Sequence, residues 1–139
     1  MLLIKKFVEM FTSFGKLFIF IFVLYKQMLQ RRKKMIVNYK ESIRTLIINF
    51  DGEIDHHSCN EIAMLADNAI KKYLPQKLIF DFKNVDFMDS AGIGMVIGRY
   101  KQLMRFGGKA EIVNINENIK RIFSMIGIFK IIPLATECV

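Results

Sequence analysis

The stretch KLIFDFKNVDFMDSAGIGMVIGRYKQLMRFGG (77–108) contains a strand, a connector and a helix in one continuous run. The nearly continuous apolar start of residues 77–85 is typical of a buried central strand. VDFMD (85–89) is predicted to be a connector between this strand and the next helix. Apolar residues then recur at three- and four-residue spacing, which predicts a helix from Ala91 to about Phe106, ended by Gly107 and Gly108. Its predicted buried stripe consists of Ile93, Val96, Ile97, Tyr100, Leu103 and Met104.

The segment before this unit predicts a hairpin and a helix. MIVNY (35–39) and RTLIINFDGEI (44–54) are strand-like runs joined by a short polar turn, which indicates an antiparallel pair. Ser58 and Glu61 have the S-x-x-E spacing of a capping box, so a helix is predicted to begin near Cys59. The apolar positions of that helix are Ile62, Leu65, Ala66, Ala69 and Ile70.

The segment after the unit predicts one more strand and one more helix. KAEIVNI (109–115) is the strand, Asn116 is the predicted cap of a helix that ends at Gly127, and FKIIP (129–133) closes the fold. The element order is therefore β-β-α-β-α-β-α. Strands that alternate with helices are expected to be parallel and joined by right-handed crossovers.

The predicted fold class is α/β, with a four-stranded mixed sheet. An antiparallel edge hairpin is followed by a parallel β-α-β-α-β unit, and the helices lie mainly on one face of the sheet. Such a thin sheet leaves little room for a buried catalytic pocket, which favours a binding role.

The charge of the chain is concentrated at its beginning. The formal net charge is +8, but residues 1–34 hold eight Lys/Arg and one Glu, which gives +7. The remaining residues hold thirteen Lys/Arg and twelve Asp/Glu, which leaves +1. Because the part that is expected to fold is nearly neutral, direct nucleic-acid binding by it is not expected. Two cysteines without a CxxC motif, Cys59 and Cys138, indicate reduced thiols in a cytoplasmic protein.

Residues 1–34 form a basic, hydrophobic extension ahead of a predicted domain at 35–139. The apolar run LFIFIFVLY (17–25) is too short for a membrane span, which needs ~20 residues, and no small-residue cleavage site follows it. We favour a start codon assigned too early. If Arg31 and Arg32 are encoded AGG-AGG, they are a ribosome-binding sequence just upstream of Met35. A surface-lying helix with a basic end and a true span are the alternatives, and membrane contact is expected only if this extension is translated.

Ser90 could itself cap the predicted helix, but Asp89, directly before it, is already an adequate cap. The hydroxyl of Ser90 is therefore free for another task, and Gly92, Gly94 and Gly98 leave room for a second molecule to reach it. A phosphate on Ser90 would meet the positive end of the helix dipole but also lie against the carboxylate of Asp89. We expect a charge switch at a binding surface.

The sequence supports a catalytic or a metal-binding site less well than it supports a binding surface. GIGMVIG does not match the dinucleotide motif, no P-loop occurs, and Met88 replaces the first glycine of a nucleophile elbow. A hydrolase that uses Ser90 with His56 or His57 as its base stays an alternative. Asp55, His56, His57 and Cys59 do not have a familiar zinc spacing. No catalytic residue, metal or cofactor is expected.

Four segments carry a further signal: GEIDHH (52–57), FMDSAGIG (87–94), GRYKQ (98–102) and KRIFSMIGIFKII (120–132). Together they resemble the anti-sigma factor antagonists of the STAS domain family, above all the sporulation antagonists of the anti-sigma F factor. The resemblance runs from about Met35 to about Val139. The D-S-x-G motif marks the wider family, and its combination with DHH and GRYKQ is more specific.

The resemblance implies a non-catalytic regulator that is switched by phosphorylation. The unphosphorylated form binds an anti-sigma factor serine kinase and releases the sigma factor, phosphorylation at Ser90 ends that binding, and a serine phosphatase resets the switch. Asp55 is expected beside Asp89 and Ser90 on the partner-binding surface, with Glu53 and Arg99 on the same face. Position 91 is Ala where close relatives tend to have a second Ser, so Ser90 is the single hydroxyl of the motif. The same fold in a membrane-tethered regulatory module is the alternative.

Overall fold

The computed structural model describes residues 1–6, 15–29 and 34–136, and the chain divides into two compact units, Met1–Arg32 and Lys33–Val139. In the first unit, helix α1 spans Gly15–Leu29. Among the described residues, no helix is both long and apolar enough to span a membrane. Arg31, Arg32 and Cys138, on which sequence-based expectations rest, lie outside the described residues. The early-start hypothesis therefore stays a prediction.

The second unit contains a four-stranded sheet in the order β1-β2-β3-β4. β1 and β2 are antiparallel, and β2–β3 and β3–β4 are parallel. This topology confirms the predicted α/β fold with its mixed sheet. The elements are β1 (Met35–Lys40), β2 (Thr45–Ile54), α2 (His56–Tyr73), β3 (Lys77–Met88), α3 (Ser90–Met104), β4 (Lys109–Val113) and α4 (Glu117–Ile126), with short 3-10 turns at Glu41–Ile43 and Ile128–Lys130.

Helices α2, α3 and α4 all contribute to the hydrophobic core on one face of the sheet. Alternate strand residues such as Ile48 and Phe80 are fully buried there, with Ile62 of α2 and Phe123 of α4 in the same cluster. The opposite face carries a smaller cluster of Ile47, Ile79 and Val113. The period of two along each strand separates the two faces, and the prediction that the helices lie mainly on one face is confirmed.

A buried carboxylate joins the strands on the opposite face. The side chain of Asp81 accepts hydrogen bonds from the amide groups of Asn49 at 2.8 Å and Asn114 at 3.1 Å, and from the backbone N–H of Lys83 at 2.9 Å. Buried charge is costly unless it is hydrogen-bonded in this way. The network links β2, β3 and the residue after β4.

The predicted connector at 85–89 is wrong, because β3 continues to Met88. Its last residues keep pairing with β2, where Gly52 faces Val85 and Ile54 faces Met88 across two register shifts. Val85 and Met88 are buried, so the strand extends as far as its side chains find core contacts. β4, by contrast, ends at Val113, because Asn114 has a positive φ of 56°.

Helix α2 begins three residues before its predicted start near Cys59. The capping box is real, but it joins Asp55 to Ser58 and does not involve Glu61. Ser58 occupies the third helical position, and its hydroxyl accepts the N–H of Asp55 at 3.1 Å. The prediction of a cap at Asn116 is confirmed by its bond to the N–H of Ile119, and α4 ends before Gly127 as expected.

The buried side of α3 differs in part from its predicted stripe. Val96 and Leu103 are buried as expected, whereas Met104 is 49% exposed and its prediction is wrong. Ile93, Ile97 and Tyr100 are partly buried against the core. Met95, which the spacing did not select, is 5% exposed. FKIIP (129–133) contains part of a 3-10 turn and leads to a bridge between Leu134 and Ile112.

Candidate functional site

Two helices begin side by side at the carboxyl edge of the sheet. β2 and β3 are adjacent and parallel, and their last residues, Ile54 and Met88, face each other. The next residues, Asp55 and Asp89, cap α2 and α3. We call residues 55–58 and 89–92 the paired helix starts. This edge is where open α/β sheets place their binding sites.

Asp55 holds the start of α2 with one of its two carboxylate oxygens. Oδ1 accepts the N–H groups of His57 at 3.1 Å and Ser58 at 2.9 Å. The hydrogen bond from the Ser58 backbone is the main cause that lowers the pKa of the Asp55 carboxyl. In the described part of the chain, Oδ2 of Asp55 accepts no such bond. This oxygen is therefore unused within the helix cap, and the contact of Asp55 with a partner stays a prediction.

Asp89 joins the two helix starts to each other. Its Oδ1 accepts the N–H groups of Ala91 at 2.9 Å and Gly92 at 3.0 Å, which caps α3. Its Oδ2 accepts the backbone N–H of His56, the first residue of α2, at 3.0 Å. One carboxylate thus satisfies three helix N–H groups that would otherwise lack a partner.

Ser90 is exposed at the first position of α3. Asp89 performs the capping, as predicted, and the Ser90 hydroxyl forms no hydrogen bond with any described residue, the two neighbouring histidines included. The structure therefore shows a free hydroxyl and no serine–histidine pair of the kind that activates a nucleophile.

The three glycines of α3 differ in their surroundings. A Cβ on Gly92 would lie 2.6 Å from Cγ of Met88 and 3.0 Å from the carbonyl oxygen of Ile54, so this position requires glycine for close packing. A Cβ on Gly94 or Gly98 would meet nothing within 4 Å. These two glycines leave bare helix surface one and two turns beyond Ser90.

Arg99 forms an ion pair between the helices. Its Nε donates to Oδ1 of Asp67 at 2.8 Å, and its Nη2 donates to Oδ2 at 3.1 Å. The Arg99 side chain is 16% exposed. The structure gives it a partner in α2, and Asp67 was not selected from the sequence because nothing local marks it. Glu53, in contrast, is exposed near the end of β2, two residues before Asp55.

The histidine and cysteine residues of α2 form no metal site. The rings of His56 and His57 are in contact, with their centroids 3.8 Å apart and their planes inclined by 40°. Cys59 is buried, and burial is the main cause that raises the pKa of its thiol. Within residues 1–6, 15–29 and 34–136, no group of three His, Cys, Asp or Glu side chains is arranged to hold a metal ion.

The fold and its motifs belong to a known class. Residues 34–138 match the STAS domain family. The chain therefore belongs to the STAS domain family.

Within that family, the chain is similar to named antagonists. It is 37% identical to the anti-sigma F factor antagonist of Paenibacillus polymyxa over 89 residues, which cover 64% of this chain and 76% of the relative. It is 30% identical to the anti-sigma F factor antagonist of Lysinibacillus sphaericus over 93 residues, which cover 67% of this chain and 80% of that relative.

Solved structures of the antagonist SpoIIAA share the fold. Its unphosphorylated form aligns with a TM-score of 0.59 at 26% identity and covers 76% of this chain and 89% of that structure. SpoIIAA of Bacillus in the phosphorylated form aligns with a TM-score of 0.59 at 28% identity. The alignment covers 74% of this chain and 92% of that structure.

Proposed function

We propose that this protein is an anti-sigma factor antagonist that acts by binding and not by catalysis. The unphosphorylated form binds an anti-sigma factor serine kinase and so frees a sigma factor, which by similarity to the relatives is sigma F of sporulation. The kinase transfers the γ-phosphoryl group of ATP to Oγ of Ser90, with release of ADP, and the product leaves the kinase. A serine phosphatase restores the hydroxyl.

The observation that carries this proposal is the free hydroxyl of Ser90 beside a fully engaged Asp89. Because Asp89 accepts the N–H groups of Ala91, Gly92 and His56, the helix start is complete without Ser90. Modification of Ser90 therefore leaves the capping hydrogen bonds in place. The names of the relatives and the bare surface at Gly94 and Gly98 support the same function.

The electrostatic effect of phosphorylation is concentrated on the proposed binding surface. A phosphoryl group adds about 1.5 to 2 negative charges at neutral pH. The proposed surface already carries the carboxylates of Glu53, Asp55 and Asp89. A kinase surface that complements three carboxylates meets a local excess of negative charge and a bulkier side chain after modification. Binding is lost without a change of fold.

Intact mass of the full chain after incubation with ATP and the cognate anti-sigma factor kinase tests the proposal. One phosphoryl addition is expected for the native chain and for Ser42→Ala, whose serine is exposed in a turn far along the sequence. No addition is expected for Ser90→Ala. Addition that persists in Ser90→Ala would overturn the assignment. So would its absence from the native chain while the kinase modifies a known antagonist.

A second candidate function is a membrane-tethered STAS module, and one feature of α1 favours it. Leu17, Phe20 and Tyr25 are 62%, 63% and 57% exposed, and Lys16 and Lys26 lie near the two ends of this helix. An apolar helix with basic ends suits the surface of an anionic bilayer. Co-sedimentation with phosphatidylserine vesicles tests it, because the full chain should pellet and a chain of residues 35–139 should not.

A further inference from the structure

The paired helix starts contain both histidines of the chain, His56 and His57. The phosphorylation switch proposed above assigns no role to either of them. The backbone N–H of His56 is bound to Asp89, and its imidazole Nδ1 lies 3.9 Å from Oδ2 of the same carboxylate. The His56 side chain is 69% exposed, and the ring of His57 packs on it. The imidazole thus lies next to the residue that precedes Ser90.

We propose that His56, supported by the ring of His57, contacts the phosphoryl group when Ser90 is phosphorylated. This inference rests on the proposed function, since it concerns the phosphorylated state of that same site. His56 would be a binding residue for the phosphoryl group in the switched-off form. Because this contact forms only after phosphorylation, it does not affect the unphosphorylated form.

Charge identifies the histidines as the contact. Of the residues at 55–58 and 89–92, only His56 and His57 can become positively charged, because the other ionisable side chains there are Asp55 and Asp89. Glu53 at the end of β2 adds another carboxylate, the Cys59 thiol is buried, and Arg99 further along α3 is engaged with Asp67. A phosphoryl group that enters this acidic surface is stabilised most by a protonated imidazole, which donates an N–H to a phosphate oxygen.

The proton chemistry of the two groups makes the contact measurable. Phosphate monoesters and imidazoles lose a proton in the same range, near pH 6 and 6.5 in general. A neighbouring imidazolium favours the doubly charged phosphate, so the second ionisation of phosphoserine occurs at lower pH when the contact exists.

The test uses the full chain with phosphoserine inserted at position 90 during synthesis, so that no kinase is needed. The ³¹P signal of the phosphoserine is followed from pH 4.5 to 8. We expect a midpoint about 0.5 pH unit lower in the native background than in His56→Gln, as expected for two opposite charges in contact at an exposed site. The difference should shrink in 1 M NaCl. His57→Gln should produce a smaller change.

Lys101→Gln is the matched control, because it also removes one positive charge from α3 but at a distance from Ser90. Position 101 is eleven residues along α3 from Ser90, about 16 Å at the helical rise and beyond the screening length at ordinary salt. Its midpoint should equal that of the native background. Amide spectra check that each variant is folded. The backbone hydrogen bond from residue 56 to Asp89 is retained in His56→Gln.

Equal midpoints in the native background and His56→Gln would overturn the inference. A larger effect of His57→Gln than of His56→Gln would overturn the assignment to His56. Failure of the proposed function gives a different combination of results from failure of this inference. If only the proposed function fails, the kinase leaves Ser90 unmodified in the mass experiment, while the ³¹P midpoint still differs between the native and His56→Gln chains.

Discussion

At the scale of single residues, Asp89 explains why Ser90 is free. A serine at the start of a helix ordinarily caps it. Here the carboxylate before it accepts the N–H groups of Ala91 and Gly92 and reaches across to His56. The serine therefore occupies the exposed first position of α3, and its hydroxyl is not needed to cap the helix.

The lowered pKa of Asp55 predicts a specific response of stability to acid. A carboxyl whose pKa is lower in the folded state stabilises the fold above its unfolded pKa, and this contribution is lost as pH falls through the folded value. Asp55→Asn keeps an oxygen for the helix cap but loses the charge. We expect the native chain to have the higher urea midpoint at pH 6, and the difference from Asp55→Asn to shrink below about pH 4.

Asp86→Asn serves as the control for that measurement, because Asp86 is exposed near the end of β3 and caps no helix. Its difference from the native chain should stay small from pH 6 to pH 3. A difference for Asp55→Asn that is constant over the same range would contradict the proposed cause, the hydrogen bonds from Ser58 and His57.

At the scale of elements, the glycines of α3 predict opposite effects of the same substitution. Gly92→Ala places a Cβ 2.6 Å from Met88 and 3.0 Å from Ile54, so it should lower the free energy of unfolding by about 1 to 3 kcal/mol. Gly94→Ala meets nothing within 4 Å and should raise that free energy by up to about 1 kcal/mol, because alanine favours the helix. Urea unfolding measures both.

The control for the glycine series is Gly98→Ala, which has the same open surroundings as Gly94 and should behave like it. If all three substitutions changed stability in the same direction, helix propensity alone would account for them. The close contact at Gly92 would then have no energetic consequence.

The ion pair of Arg99 and Asp67 predicts coupling between α2 and α3. Both side chains are less than one third exposed, and two parallel hydrogen bonds join them. A double-mutant cycle of Arg99→Ala and Asp67→Ala should give a coupling energy of about 1 kcal/mol. Additive losses in urea unfolding would rule out a stabilising pair. Affinity for the kinase, measured on the same variants, tests the prediction that Arg99 also lies on the partner-binding surface.

At the scale of the whole molecule, the main core lies within one unit. Its buried residues run from Met35 to Ile132, and they come from β1 to β4, α2, α3, α4 and the turn after α4. The second cluster, on the other face of the sheet, is built from Ile47, Ile79 and Val113. Both clusters thus belong to the part of the chain that matches the STAS domain family.

A chain of residues 35–139 should therefore unfold like the full chain. We expect the same urea midpoint and one cooperative transition, because the main core is complete within this part. Leu46→Ala, a fully buried change in β2, should lower both midpoints by the same amount. A lower midpoint for the shorter chain alone would show that residues 1–34 stabilise the domain.

The sequence by itself determined the α/β alternation, the cap at Asn116 and the free serine after Asp89. These follow from periodicity and from side chains that act on backbone groups within three residues, as Asp89 does on Ala91 and Gly92. Such information is local, and it is present in any stretch of sequence long enough to show one or two turns of a helix.

Only the tertiary structure decided how the paired helix starts are joined. The bond from His56 to Asp89 and the ion pair of Arg99 with Asp67 connect residues 33 and 32 positions apart. The continuation of β3 to Met88 likewise depends on the shifted register of β2. These contacts arise because two parallel strands bring distant helix starts to the same edge of the sheet, and no local pattern records that proximity.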